Sequence, residues 1–138
     1  MDQVVELAGV TKRYGPTLAL DAVSLAVAAG TFVAVMGATG SGKSTLLHCA
    51  AGLDRATGGR IRLAGRDITG MREGSLTRLR RDRVGFVFQS YNLLSALTVA
   101  QNVLLPSRLG GPQPRDLAAV LASVGLGGLE RRPDRGSP

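Results

Sequence analysis

Tryptophan is absent from this chain of 138 residues, aromatic residues make up only 4% of it, and cysteine and histidine occur once each. A lone cysteine, Cys49, excludes an internal disulfide and suits a reducing compartment. Its neighbour His48 is the single histidine, so no second His or Cys completes a zinc-type ligand set with them. Both read as packing residues on a helix. Lysine is nearly missing too, confined to Lys12 and Lys43, so the net charge of +7 is carried almost wholly by arginine. That balance permits an anionic partner, whether nucleotide, nucleic acid or membrane surface, and selects none of them. The arginine-rich stretch RLRRDR (78–83) has no interleaved aromatics on which bases could stack. It reads as the solvated face of a helix, and no nucleic-acid partner is expected.

Long membrane-crossing runs are also lacking. Residues 84–107 carry no charge, yet they include Gln89, Ser90, Asn92, Ser95, Gln101 and Asn102. Each of these would need a hydrogen-bond partner in lipid, so the stretch reads as two short apolar elements. The opening MDQVVELAGVTKRYG has no basic segment followed by an apolar one, and no signal peptide is read there. With 44% hydrophobic and 20% charged residues the composition is globular. At this length one domain is expected, burying roughly 68–70% of its unfolded surface.

Strand patterns come first: VVELAGV (4–10), LALDAVSLAVAAG (18–30) and TFVAVMG (31–37), the last ending in glycine. KSTLLHCAA (43–51) then switches to helical composition, with Gly52 as its stop. Residues 54–68 read as turn, strand and turn. SLTRLRRDR (75–83) predicts a helix with Leu76 and Leu79 inward, and VGFVFQ (84–89) predicts a strand. TVAQNVLLP (98–106) predicts a helix stopped by Pro106, and PRDLAAVLASVG (114–125) a helix started by Pro114 and ended by Gly125. Residues 109–114 read as a loop and 129–138 as an unstructured tail. Strands alternating with helices predict an α/β core, with an antiparallel portion from the N-terminal strands.

One stretch decides the chemistry. Gly37-Ala38-Thr39-Gly40-Ser41-Gly42-Lys43-Ser44 fits G-x-x-x-x-G-K-[ST] without a mismatch, after an apolar run and before a helix. A random chain of this composition would show the pattern about 0.005 times. The glycines let successive backbone N–H groups converge on one concavity. The helix beginning near Lys43 adds its unpaired N–H groups and the positive end of its dipole. Lys43 is placed to reach the β- and γ-phosphates, the Ser44 hydroxyl to bind Mg²⁺, and the Thr45 hydroxyl to contact the α-phosphate. These residues form a nucleoside-triphosphate or phosphate site.

Tyr14 lies upstream in VTKRYGP, and Gln89 lies downstream at the end of VGFVFQ, before SYNLLSALTVAQNV. With the phosphate loop between them, these segments closely resemble the ATP-binding cassette of ABC transporters. The resemblance runs from about Val4 to Asp134, and VGFVFQ…NLL…LTV…NVLLP is most similar to the lipoprotein-release and macrolide-export branch. It implies a P-loop NTPase core with an N-terminal antiparallel β portion (together 1–90), part of a helical subdomain (91–128), and a divergent tail (129–138). It further implies that Tyr14 stacks on adenine, and that Gln89 joins Ser44 at Mg²⁺ or holds the attacking water. ATP and Mg²⁺ are thus the expected cofactors. A transmembrane permease is expected to dock between Ser90 and Val99, with Tyr91, Leu93, Leu94 and Leu97 as its apolar patch; core packing is the competing reading of these four. A second ATP-binding subunit is implied as dimer partner, and a cytoplasmic location at the inner face of the membrane, held through the permease.

The family's signature motif, Walker B aspartate, catalytic glutamate, D-loop and switch histidine have no match in this sequence. The core is therefore expected to lack its C-terminal part, with Lys43 and Gln89 only partial contributors to catalysis and little ATP hydrolysis by this polypeptide. The strands at 31–36 and 84–88 are expected to keep unpaired edges. The leading reading is an incomplete ATP-binding subunit of an ABC transporter, binding Mg-ATP to energise export or release of hydrophobic cargo through a membrane permease. The alternative is a non-hydrolysing nucleotide-binding module that pairs with an intact subunit. A nucleotide kinase would need a lid rich in phosphate-binding arginines, and a GTPase an N-K-x-D motif; neither is present.

Overall fold

The computed structural model describes residues 2–111, 113 and 116–133, which form two compact units, Met1–Gly85 and Phe86–Pro138.

The first unit is built on a four-stranded antiparallel sheet of order β2-β1-β3-β4: β1 Gln3–Tyr14, β2 Thr17–Ala28, β3 Gly58–Leu63 and β4 Arg66–Asp67. Gly15 and Pro16 close the β1–β2 hairpin, so that Tyr14 faces Thr17 across it. Buried Leu7 and Val10 stand three apart, which strict alternation would place on opposite faces. Register shifts between Leu7 and Val10 on one side, and between Ala8 and Thr11 on the other, restore the phase and send both inward. Gly59 (φ +83°) meets β1 there so closely that a Cβ would lie 2.4 Å from the Gly9 carbonyl oxygen, a contact only glycine allows.

Helix α1 (Lys43–Ala50) lays Cys49, with partly buried Leu46 and Ala50, on this sheet. Helix α2 (Glu73–Arg83) inserts Leu76 and Leu79 into the same core beside Ile61, Leu63 and Ile68. Burying such a side chain contributes about 1.5–3 kcal/mol, so these leucines fix α2 in place while Arg78, Arg81 and Arg83 face solvent. Arg80 bends back instead, donating from Nη1 to the Gly52 carbonyl at 2.7 Å and pairing with Glu73 at 3.5 Å. It thereby ties α2 to the turn that ends α1.

Both central strands expected from the sequence are absent as ladders. Residues 31–38 and 84–88 belong to no strand, and Phe32, Met36 and Val87 are 95%, 88% and 96% exposed. A β-rich apolar run becomes a strand only when neighbouring backbone fills its N–H and C=O groups. Among the described residues neither run joins the sheet, so the strands whose edges were expected to stay unpaired are not formed.

The second unit holds α3 (Val99–Arg108) and α4 (Leu117–Ser123). Thr98 caps α3 by accepting from the Gln101 N–H at 3.2 Å, while Gln101 Oε1 accepts from the Thr98 N–H at 2.8 Å. This is a reciprocal capping box. Pro106 does not stop α3 as expected. It sits in the last turn, where its missing N–H removes one bond, and the Leu109 and Gly111 N–H groups close the end by donating to the Pro106 carbonyl. Helix α4 starts later than expected, with Asp116 Oδ1 capping the Ala119 N–H at 3.2 Å, and ends before Gly125; Pro114 lies outside the described residues. The tail also differs from expectation. The Val99 and Ala100 N–H groups donate to the carbonyls of Arg132 and Glu130 at 2.9 and 3.0 Å, and Thr98 bridges Pro133. The free N–H groups at the start of α3 thus recruit residues 130–133; residues 134–138 lie outside the described residues.

Candidate nucleotide site

The loop 37–42 leads into α1 through Gly42, whose φ of +94° lies in the left-handed region. A Cβ on Gly42 would stand 2.4 Å from the Ala19 carbonyl oxygen, so the loop rests directly on the backbone of β2. A Cβ on Gly37 would meet Ser41 Oγ at 2.7 Å, which keeps the two arms of the loop close. No side chain caps α1 and no acidic residue lies in its first turn. The positive end of the helix therefore stays uncompensated, as an anion site requires. Lys43 Nζ donates to the carbonyls of Gly37 and Ala38 at 2.5 and 2.7 Å and reaches Ser41 Oγ at 3.5 Å. The ammonium is thus folded onto the loop's own carbonyls. Ser44 is exposed beside it, and Thr45 is half-buried.

These features fit phosphate oxygens: a close-packed glycine loop, one ammonium, and a helix terminus free of competing carboxylates. For Mg²⁺ the first unit offers the Ser44 hydroxyl, and no cluster of three or more His, Cys, Asp or Glu exists among the described residues. A cation there would depend on phosphate and water oxygens, as Mg²⁺ commonly does.

Tyr14 stands at the end of β1 and is 46% exposed. Its hydroxyl donates to Asp54 Oδ2 at 2.5 Å. Asp54 Oδ1 accepts from Lys12 Nζ at 3.0 Å and from the Arg55 N–H at 2.9 Å. Lys12 donates further to the Arg55 carbonyl at 2.6 Å and sits 5.0 Å from the centre of the Tyr14 ring. The Asp54 carboxylate holds the Tyr14 proton above its usual range, opposed by the Thr45 side chain. The bond from Tyr14, helped by Lys12, holds the Asp54 carboxyl below its usual value.

The loop, Lys43, Ser44, Thr45 and Tyr14 share the first unit, whereas exposed Gln89 belongs to the second. Tyr91, Leu93 and Leu94 are exposed, not core residues, while Leu97 is half-buried. Asn102 shapes their segment. Its Oδ1 accepts from the Leu94 N–H at 2.9 Å, and its Nδ2 donates to the carbonyls of Leu94 and Thr98, both at 3.1 Å. Sequence reasoning missed Lys12, Asp54 and Asn102. The rarity of lysine marks Lys12 faintly; Asp54 and Asn102 act through contacts that spacing does not reveal.

Residues 20–137 match the family profile described as ABC transporter. The chain belongs to the ABC transporter family. It is 50% identical over 110 residues to the methionine import ATP-binding protein MetN of Rhizobium johnstonii, covering 80% of this chain and 30% of that protein. It is 45% identical to the lipoprotein-releasing system ATP-binding protein LolD of Anaeromyxobacter dehalogenans, covering 93% of this chain and 57% of that one. The macrolide export ATP-binding/permease protein MacB of an Azoarcus species is 42% identical, with 90% and 20% covered. The dimeric structure of MJ0796, a bacterial ABC transporter cassette, superposes with a TM-score of 0.74 at 38% identity, over 82% of this chain and 50% of that one. This ABC family chain therefore has the P-loop NTPase fold of those cassettes and spans between 20% and 57% of the curated relatives named here. The resemblance to the release and export branch is met by LolD and MacB. MetN is a relative named for import, so direction is not common to these relatives.

Proposed function

We propose that this chain supplies the phosphate-gripping part of an ABC transporter's ATP site. The carrying observation is that an uncapped helix start, the glycine loop and Lys43 converge in the same unit as Tyr14. In this reading Gly37, Ala38, Thr39, Gly40, Ser41 and Gly42 cradle the phosphates with their backbone, and Lys43 leaves the Gly37 and Ala38 carbonyls to pair with phosphate oxygens. Ser44 and Thr45 supply hydroxyls, Ser44 toward Mg²⁺, and Tyr14 offers a flat face to adenine. When bound, Mg²⁺ neutralises phosphate charge. Gln89 is assigned a supporting role at the metal. Binding, not hydrolysis, is what these residues carry.

Support for ATP comes from the relatives named as ATP-binding proteins and from a 38% identical cassette solved with ADP and Pi. Support for a permease partner comes from the exposed Tyr91, Leu93 and Leu94. Pairing with a second cassette is supported by the dimeric neighbour. No described helix is long and apolar enough to cross a membrane; association with the membrane through a permease follows from the family reading. The branch resemblance favours release or export of hydrophobic cargo.

Titrating ATP with and without Mg²⁺ into the wild type and Lys43→Ala tests the site. Loss of the ammonium should weaken binding roughly ten- to hundredfold, the worth of a charge-assisted hydrogen bond. Equal affinity in the two proteins refutes the assignment.

A further inference from the structure

We propose that Asp54 is a positioning residue: with Lys12 it locks the Tyr14 ring in the orientation that receives the base of a bound nucleotide. The inference rests on the reading of Tyr14 and the phosphate loop given above, and deepens it.

An exposed tyrosine at a strand end ordinarily samples several rotamers. Tyr14 is held at two points. Its hydroxyl is bonded to Asp54 Oδ2, and its ring lies under the Lys12 ammonium. The anchor is itself rigid. Asp54 Oδ1 takes a second bond from Lys12 and a third from the Arg55 N–H, and its own N–H donates to the His48 carbonyl at the end of α1. Asp54 therefore hangs from the helix whose other end begins the phosphate loop. A cation over one face of the ring leaves the opposite face for a stacking partner. Holding the ring beforehand removes the ordering cost that an unconstrained aromatic would incur on binding, an effect of roughly three- to tenfold in affinity.

Such a role is selective for the base. Inorganic tripolyphosphate shares the phosphates of ATP and lacks the base, so it reads the loop alone. The test titrates ATP and tripolyphosphate into the wild type, Asp54→Ala, Tyr14→Phe, the double variant and Lys43→Ala. Asp54→Ala should lose roughly three- to tenfold in ATP affinity while tripolyphosphate affinity holds. Tyr14→Phe keeps the ring and removes one exposed oxygen, so it retains the fold, and it should show the same ATP loss. The double variant should lose no more than either single one, because all three remove one bond. Asp54→Ala weakening both ligands equally would mean a structural role and overturn the proposal, as would additive losses or unchanged ATP affinity in Tyr14→Phe. Failure of the underlying site shows separately: tripolyphosphate binding that survives Lys43→Ala removes the phosphate assignment and this inference with it.

Discussion

At the scale of single residues, the carboxylate of Asp54 and the phenol of Tyr14 are two ends of one hydrogen bond, and each moves the other's titration. The Tyr14 pKa is raised above 10.0, so its share of folded stability is whole below that pH and fades as pH climbs through the higher folded value. The Asp54 pKa is lowered below 3.8, so its share is whole above that pH and is lost as pH falls through the lower folded value. The bond should thus be insensitive to pH between those limits. In a Tyr91→Phe background, phenolate absorbance should report Tyr14 titrating above pH 10.0, and Asp54→Ala should bring the midpoint down. Cys49, at 0% exposure and with its thiol pushed up by burial, should react with a thiol reagent only as fast as the protein opens. Labelling at the rate of a free thiol in native buffer would contradict that burial. The phosphate motif was legible in sequence because glycine, lysine and serine at fixed spacing leave little room for accident. Asp54 was not legible, since an aspartate after a helix has no pattern until the fold brings β1 beside it.

At the scale of elements, α2 was readable from its leucines. Leu76→Ala should cost about 2–5 kcal/mol in denaturant unfolding, whereas solvent-facing Arg78→Ala should stay within about 0.5 kcal/mol of the wild type. Equal costs would mean that the helix is not anchored by its buried side. Helix α3 was readable at its start and misread at its end. Thr98 and Gln101 carry their capping function in sequence, but proline marks a stop only where a further turn cannot close. Here carbonyls of the last turn accept from Leu109 and Gly111 instead. Removing the cap with Thr98→Ala should lower stability by about 0.5–2 kcal/mol, measured by helical circular dichroism during unfolding. The runs at 31–36 and 84–89 have strand composition without strand pairing. Composition records what a segment could pair with, and pairing requires the neighbour itself.

At the scale of the whole molecule, the alternation of strand and helix patterns correctly indicated an α/β protein with its antiparallel sheet at the N-terminal side, and the chain forms two compact units, Met1–Gly85 and Phe86–Pro138. Phe32, Met36 and Val87 stand in the open, and unpaired apolar backbone of this kind invites association between copies. Phe32→Ser with Val87→Ser should therefore reduce light scattering at high concentration while shifting unfolding by no more than about 0.5 kcal/mol. A large loss of stability would instead place these side chains in a core. The contact between Gly42 and the Ala19 carbonyl has a further consequence. Tyr14 pairs with Thr17 at the head of β2, and the glycine loop is seated on the same strand at Ala19. The two residues from Thr17 to Ala19 measure off roughly 7 Å of extended chain. This short length of strand works as a gauge block: it sets the reach from the aromatic face to the anion cradle by covalent geometry, so one inserted residue would miscalibrate the site without touching any side chain in it.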